Sequence, residues 1–252
     1  MPALSFDLSV VSQQTVTPEV RLLTVIWPDP DHAPHAGQFF MLRSWAADEA
    51  PTLSRPISVH SYDAASGALQ FLYEVKGPGT QKLARLCAGD ALNLVGPAGN
   101  GFTPRQYQGR IAVVGGGIGT APLLQVVREL DAAGNRPELF CGFRSGSYGL
   151  EQFQPHCTAI HIATDDGSLG HHGLVTQILE PERFDLVLCC GPTPMMKAVA
   201  ALCAEKGTPC LVSLENKMAC GIGACLGCTC HTHTGAKCVC KEGPVFRAEE
   251  VF

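Results

Sequence analysis

Arg110-Ile111-Ala112-Val113-Val114-Gly115-Gly116-Gly117-Ile118-Gly119-Thr120 is the stretch on which the fold turns. Ile111 to Val114 are uninterrupted apolar residues, the pattern of a strand covered on both faces. The glycines that follow let backbone approach a ligand, so Gly115, Gly117, Gly119 and Thr120 are candidate nucleotide contacts. Thr120 stands where the dinucleotide-binding G-x-G-x-x-G pattern has its last glycine, so the stretch is a different loop. A helical pattern covers 122–133, with Pro122 near its first position, where a missing N–H costs little. Further strands are read at 138–143, 158–163, 186–190 and 209–214, and a helix begins at Pro194-Met195-Met196-Lys197. Strands alternating with helices predict a parallel, doubly wound α/β domain.

Such folds bind ligands beyond the carboxyl ends of their strands. Cys190 and Gly191, in Cys190-Gly191-Pro192-Thr193-Pro194, end one of these strands and are candidate ligand contacts. Asp165 and Asp166 follow another. Carboxylates there favour ribose hydroxyls and repel a 2′-phosphate, so NAD is expected over NADP.

Upstream, residues 1–104 read as short strands broken by Gly, Pro and Asp, among them 19–25 and 69–75. That rhythm predicts a closed antiparallel β-barrel, interrupted by a helical segment at 80–87. Within it, Arg55-Pro56-Ile57-Ser58 offers a guanidinium for a cofactor pyrophosphate and a hydroxyl for a flavin ring edge. Tyr73 offers an aromatic ring, and Gly79-Thr80 a helix start suited to an anion. Asp90, His60, His161, His171 and His172 have no evident partner and read as turn or surface residues.

Downstream, six of the thirteen cysteines fall between 220 and 240. Cys220, Cys225 and Cys228 form C-x4-C-x2-C, the plant-type spacing of a 2Fe–2S centre. The fourth ligand would be Cys240 or Cys238, and by spacing alone Cys230 competes with Cys228. A zinc site from Cys225, Cys228, Cys238 and Cys240, with His231 and His233 nearby, is the competing reading, but it leaves Cys220 idle. The His pair reads as a solvated hairpin tip. Cys87, Cys141, Cys157, Cys189, Cys190, Cys203 and Cys210 read as buried apolar residues.

Hydrophobic residues make up 46% of the chain and charged ones 16%, which excludes a disordered protein. A net charge of −5 gives no footprint for nucleic acid. The first residues lack the pattern of a signal peptide, and no apolar run reaches the length of a membrane span, so a soluble, cytoplasmic protein is expected.

The order RPIS (55–58), GPAGNGF (96–102), GGGIGTAPL (115–123), CGPTPMM (190–196), the cysteine loop and CKEGPVF (240–246) resembles the electron-transfer subunit of class 1B dihydroorotate dehydrogenase. The resemblance covers essentially the whole chain. It implies a ferredoxin reductase-like architecture: an FAD-binding barrel (1–104), an NAD-binding α/β domain (105–212) and a 2Fe–2S domain (213–252). It further implies FAD contacts at Arg55, Pro56, Ile57, Ser58, Leu72, Tyr73, Glu74, Gly79 and Thr80. Because the family's fourth cluster ligand precedes the KEGP turn, it selects Cys220, Cys225, Cys228 and Cys240. Plant-type reductases carry a stacking Tyr where Ile57 stands here, so that stacking is lost. The implied activity couples NAD(H) to an FMN-containing catalytic subunit that oxidises dihydroorotate to orotate in pyrimidine biosynthesis, the two chains forming a heterotetramer. The small subunit of an NADH-dependent ferredoxin:NADP oxidoreductase shares these motifs but has Asp where Cys220 stands. A zinc-stapled flavin-binding sensor or assembly module is a third reading. Ile222, Ala224 and Leu226 are expected either to pack on the chain itself or to form a docking surface beside the cluster.

Overall fold

The computed structural model describes residues 4–46 and 48–252. Seven antiparallel strands come first: β1 (Ser5–Thr17), β2 (Val20–Ile26), β3 (Phe39–Arg43), β4 (Arg55–Ser58), β5 (Ser61–Asp63), β6 (Ala68–Glu74) and β7 (Ala91–Ala98). Their order in the sheet is β4-β3-β7-β1-β2-β6-β5. The sheet closes on itself where the chain passes from β4 to β5. There Val59 N–H donates to Gln38 O and His60 N–H donates to Gln70 O, so one strand pairs with both edges. Alternation drives the burial: Leu23 and Val25 of β2 and Leu69, Phe71 and Tyr73 of β6 face the barrel core, with Trp27, Phe40 and Phe71 packed edge to face.

The helical segment expected at 80–87 is shorter and earlier, α1 (Pro78–Leu83). Beyond Leu83 the chain tightens into single turns, Leu86 N–H donating to Leu83 O, before Gly89 bends it with φ +92°.

The second sheet contains β8 (Ile111–Gly116), β9 (Glu138–Phe143), β10 (Ala159–Thr164), β11 (His171–His172), β12 (Leu186–Cys190) and β13 (Cys210–Ser213), all parallel. Helix α2 (Leu123–Ala132) covers one face and α3 (Thr193–Lys206) the other, which is why every residue of β8 is buried. After the small hairpin of β14 (Thr229–Thr232) and β15 (Gly235–Cys238), the chain returns as β16 (Val245–Arg247) and pairs antiparallel with β13. The sheet is therefore mixed, and the tail does not stand apart from it. A short helix, α4 (Ala248–Val251), ends the chain. The Gly243-Pro244 turn is stitched on both sides: Asn100 N–H donates to Gly243 O and Leu214 N–H to Pro244 O. No helix among the described residues is long and apolar enough to cross a membrane.

His60 departs from its expected surface role. It is buried, and its Nδ1 donates to the Ala121 carbonyl at 2.6 Å, while its backbone O accepts from Gln125 N–H at 3.1 Å. Gln125 Oε1 accepts from Tyr62 N–H, its Nε2 donates to Glu129 Oε1, and that oxygen also accepts from Ala36 N–H. One face of α2 is thus tied to the barrel by polar groups. Nε2 of His60 has no hydrogen-bond partner among the described residues. Burial, aided by the Arg128 charge and opposed by the Ala121 carbonyl, lowers its pKa from 6.5 to about 4.

A neutral histidine in the folded state contributes its full stability above about pH 6.5. That contribution is lost as pH falls toward 4, because the unfolded chain binds a proton the folded chain refuses. The expected loss over this window is about 3 kcal/mol. His60→Gln keeps a donor for Ala121 and removes the titration, so its urea-unfolding stability should fall less between pH 7 and 4.5. Parallel pH profiles for the two proteins would refute this.

Candidate functional site

A cavity of about 270 Å³ opens where the barrel, the carboxyl ends of the parallel strands and the tail meet. From the barrel it is lined by Pro56, Ile57 and Ser58 of β4, by Leu72, Tyr73 and Glu74 of β6, and by Thr80. These are sequence-expected flavin contacts, brought together because β4 runs on into β5, which pairs with β6 and closes the barrel. Tyr73 is buried in the barrel core, and its hydroxyl donates to Gln13 Oε1 at 3.3 Å. Burial raises its pKa well above the ordinary value. Thr80 Oγ1 accepts from Lys76 and Gly77 N–H and donates to Gly77 O, which fixes the loop entering α1.

Arg55 lies beyond the cavity wall, against Gly79. A Cβ on Gly79 would collide with the guanidinium, so only glycine leaves this cradle open. Arg55 Nη1 donates to Leu53 O at 2.7 Å, and the guanidinium stands 5.9 Å from the Trp45 ring. A fixed guanidinium beside the start of α1 suits a pyrophosphate. Arg55→Ala is expected to weaken FAD binding ten- to hundredfold, for about 1.5–3 kcal/mol of charge-assisted hydrogen bonding. Flavin retention through gel filtration at dilution measures it, and wild-type retention would count against the assignment.

On the α/β side, Gly115 is the last residue but one of β8 and Gly117 begins the turn that follows. Gly119 lies against the backbone of Cys190 and Gly191, where a Cβ would clash, so the two strand-end loops touch through main chain. Thr120 is buried and its Oγ1 donates to Gly117 O at 2.8 Å, closing its own turn. Cys190 reaches the cavity wall. Burial and the neighbouring Glu215 push its thiol up to about 12, against a smaller opposing pull from Ser213. Asp165 and Asp166 are exposed beyond β10 and do not line the cavity. Asp166 Oδ1 accepts from Ser168 N–H and Oγ–H, which holds its carboxyl below the ordinary range.

In the tail, Cys220 and Cys225 stand side by side, as do Cys228 and Cys240. The hairpin β14–β15 explains the long gap to Cys240, because it carries the chain out and back so that Val239 N–H reaches Cys228 O. Backbone N–H groups point at the sulfurs: Ile222 and Cys225 at Cys220, Gly227 at Cys225, Cys240 at Cys228, and Gly223 at Cys240. Gly221 and Gly223 adopt φ +70° and +79°, which the tight loop requires. Burial raises the Cys220 thiol, but these N–H donors and Cys225 outweigh it and bring the pKa to about 6. Burial and the adjacent Cys228 push Cys240 up to about 12, with Gly223 N–H opposing.

Two pairs of thiols suit two irons, each with two cysteine ligands. A single tetrahedral ion needs at least three donors converging on one point. Among the described residues no such group of His, Cys, Asp or Glu is present. Cys238 points into the core beside Thr229 Oγ1, and Cys230 sits on the hairpin. His231 and His233 are exposed, and His233 N–H donates to Glu250 O. Of the seven scattered cysteines six are buried, whereas Cys87 is exposed, because it follows the frayed end of α1.

Sequence reading missed the third wall of the cavity. Phe39, Leu214, Met218 and Pro244 line it, and Phe39, Leu214 and Met218 also pack in the buried cluster that contains Cys228 and Cys240. One layer of side chains therefore separates the cavity from the thiols. No motif marks Phe39, Leu214 or Met218, since their contact depends on β16 returning the tail to the sheet.

Comparison with known proteins is consistent with this arrangement. Residues 215–252 match the iron–sulfur cluster binding domain of dihydroorotate dehydrogenase B. The dihydroorotate dehydrogenase B (NAD(+)) electron transfer subunit of Clostridium acetobutylicum is 45% identical over 216 residues, 86% of this chain and 85% of that protein. Its counterpart in Caldanaerobacter subterraneus subsp. tengcongensis is 38% identical over 96% of both chains. Among solved structures, an NADH-dependent reduced ferredoxin–NADP oxidoreductase superposes with a TM-score of 0.86 at 29% identity, covering 97% of this chain and 89% of that one. A ferredoxin–NADP+ reductase from Neisseria gonorrhoeae shares the fold alone, with a TM-score of 0.64 at 18% identity. With identity of this order spanning most of both chains, this protein belongs to the family of dihydroorotate dehydrogenase B (NAD(+)) electron transfer subunits.

Proposed function

We propose that this chain carries electrons between NAD(H), FAD, a 2Fe–2S cluster and an FMN-containing catalytic subunit that oxidises dihydroorotate to orotate. The observation that carries the reading is the shared wall: Phe39, Leu214 and Met218 face the flavin-sized cavity on one side and pack with Cys228 and Cys240 on the other. FAD supplies the conversion between a two-electron hydride donor and a one-electron cluster.

The residues of the chain do the positioning. Pro56, Ile57, Ser58, Leu72, Tyr73, Glu74 and Thr80 would hold the flavin, with Arg55 and Gly79 at its pyrophosphate. Gly115, Gly117, Gly119, Thr120, Cys190 and Gly191 would shape the nicotinamide approach, with Asp165 and Asp166 toward the adenosine ribose. Cys220, Cys225, Cys228 and Cys240 would ligate the cluster. Working boundaries for the three units are 1–104, 105–212 and 213–252, the last docked on the second through β16. The assembly is a hetero-oligomer acting in the cytoplasm.

The related fold of the NADH-dependent ferredoxin–NADP oxidoreductase supports a second reading, a small subunit of that enzyme type. Its Asp ligand has no counterpart here, where Cys220 takes the position. Co-expression with a dihydroorotate dehydrogenase catalytic subunit tests the choice. A stable complex reducing NAD+ with dihydroorotate is expected, and a complex inert toward dihydroorotate would overturn the proposal. In the same complex, kcat/KM for flavin reduction should favour NADH over NADPH, because the two exposed carboxylates would repel a 2′-phosphate. Equal values would remove Asp165 and Asp166 from the site.

A further inference from the structure

Cys203 on α3 and Cys210, the first residue of β13, lie at the amino end of the parallel strands, away from the flavin-sized cavity. Gly207 ends α3 with φ +72°, and Thr208 N–H donates back to Cys203 O at 2.9 Å. The chain therefore reverses tightly and brings Cys210 back beneath the helix. Thr208 Oγ1 donates to Pro181 O at 2.9 Å and holds that turn in place. On β12, which pairs with β13, Cys189 packs in the same buried cluster, so three thiols gather under α3. The electron-transfer reading uses none of them.

Cys203 and Cys210 stand side by side, close enough for one S–H to donate to the other sulfur. That contact holds the Cys203 thiol below its ordinary pKa although burial opposes it. The same contact, with burial added, pushes Cys210 well above the ordinary value. The pair is thus polarised, with Cys203 as the thiolate and Cys210 as the proton holder, and the thiolate is the reactive form of cysteine. A second cavity, of about 290 Å³, opens beside them. Cys203, Cys210, Thr208, Lys197, Glu249 and Phe252 are among its walls, whereas Cys189 lies outside it. Both thiols are shielded from bulk solvent, but part of the shield is α4, a single helical turn at the end of the chain. Terminal elements of this kind open readily.

We propose that Cys203 and Cys210 are a modification site, a dithiol that hydrogen peroxide converts reversibly into a disulfide clamping α3 to β13. The Cys203 sulfur attacks one peroxide oxygen, the O–O bond breaks, and the other oxygen leaves as water with the proton that Cys203 gave up. The Cys210 sulfur then attacks the sulfenic acid so formed. An S–S bond forms, the S–O bond breaks, and a second water leaves with the Cys210 proton. Two thiols and one peroxide become one disulfide and two waters, the sulfurs losing the two electrons that the peroxide gains. Cys189, outside the cavity, takes no part. β13 runs on into Leu214 of the wall between flavin cavity and cluster, so the clamp fixes the strand that carries that wall. The site stands apart from the flavin and nucleotide assignments and does not depend on them.

The test treats the full chain, as purified with its cofactors, with hydrogen peroxide, then alkylates it under unfolding conditions and digests it with trypsin. Cleavage after Lys197, Lys206 and Lys217 leaves Cys203 in peptide 198–206 and Cys210 in peptide 207–217, with no other cysteine in either. The two peptides should appear joined, lighter by two hydrogens than their sum, and dithiothreitol should separate them. In Cys210→Ser the reaction should stop at a sulfenic acid on Cys203, captured by dimedone, while Cys189→Ser should keep the joined peptides. The oxidised wild type should unfold at a higher temperature than the same sample restored with dithiothreitol, a comparison in which any damage to the cluster is common to both. Full alkylation of Cys203 and Cys210 in peroxide-treated wild type would overturn the proposal, and this result decides it whether or not the variants fold. A disulfide from either residue to Cys189 would also overturn it. An unfolding temperature unchanged or lowered by oxidation would overturn the clamp.

Discussion

Single replacement of Cys220, Cys225, Cys228 or Cys240 by Ser is expected to abolish or grossly distort the 2Fe–2S EPR signal, while Cys230→Ser and Cys238→Ser retain it. The geometry makes the comparison unusually clean. Cys228, Cys238 and Cys240 are all buried, so a Ser at any of them places a hydroxyl in a similarly apolar setting. Loss at Cys240 with retention at Cys238 could not then come from packing. Only the four proposed ligands fall into the two facing pairs, and only their sulfurs receive the backbone N–H groups of the loop. Bound iron should fall from two per chain toward zero in the ligand variants. Normal iron and EPR in Cys240→Ser, with loss in Cys238→Ser, would overturn the ligand set. Visible absorbance of the wild-type protein also separates the cluster from a colourless zinc site.

Leu226→Glu is expected to weaken assembly with the catalytic subunit at least about thirtyfold, for an anchor worth about 2 kcal/mol or more. Of the two outcomes open for the apolar loop residues, the structure shows exposure: Ile222 is 49% and Leu226 63% accessible, and Ala224 is exposed as well. Leu226 also holds φ +59°, a conformation unfavourable for a branched side chain. Its apolar surface stands next to Cys225, where a docked partner would both cover it and exchange electrons with the cluster. A charge buried there without a partner is costly. NADH-dependent flavin reduction within the isolated chain should be unaffected, because the cavity lies on the other side of the thiols. Wild-type assembly of Leu226→Glu on analytical ultracentrifugation would refute this surface.

The two sheets and the cluster loop were legible in the sequence for different reasons. β8 and β12 are runs of apolar residues that can only be covered on both faces, and β2 and β6 read as alternating strands, although Leu22 and Leu72 on their outer face are buried too, against Ala121. The C-x4-C-x2-C spacing is a local constraint, written in consecutive residues and independent of the rest of the fold. Those features identified the fold class and the cluster type, while the resemblance in motif order implied most of the barrel side of the cavity.

What the sequence could not disclose were contacts between residues far apart in the chain. The choice of Cys228 over Cys230 became visible as geometry only once a hairpin brought Cys240 back beside it. β16 reads as part of an aperiodic tail, yet its pairing with β13 turns Leu214 and Met218 into a wall between cavity and cluster. His60 looked like a surface residue because nothing nearby in sequence buries it; α2 does so. Phe39 likewise carries no motif. Periodicity and ligand spacing report local physics, which the sequence by itself determined. The shared wall and the buried polar strap arise from docking of preformed elements, where complementary surfaces rather than neighbouring residues set the energy, and only the tertiary structure decided them.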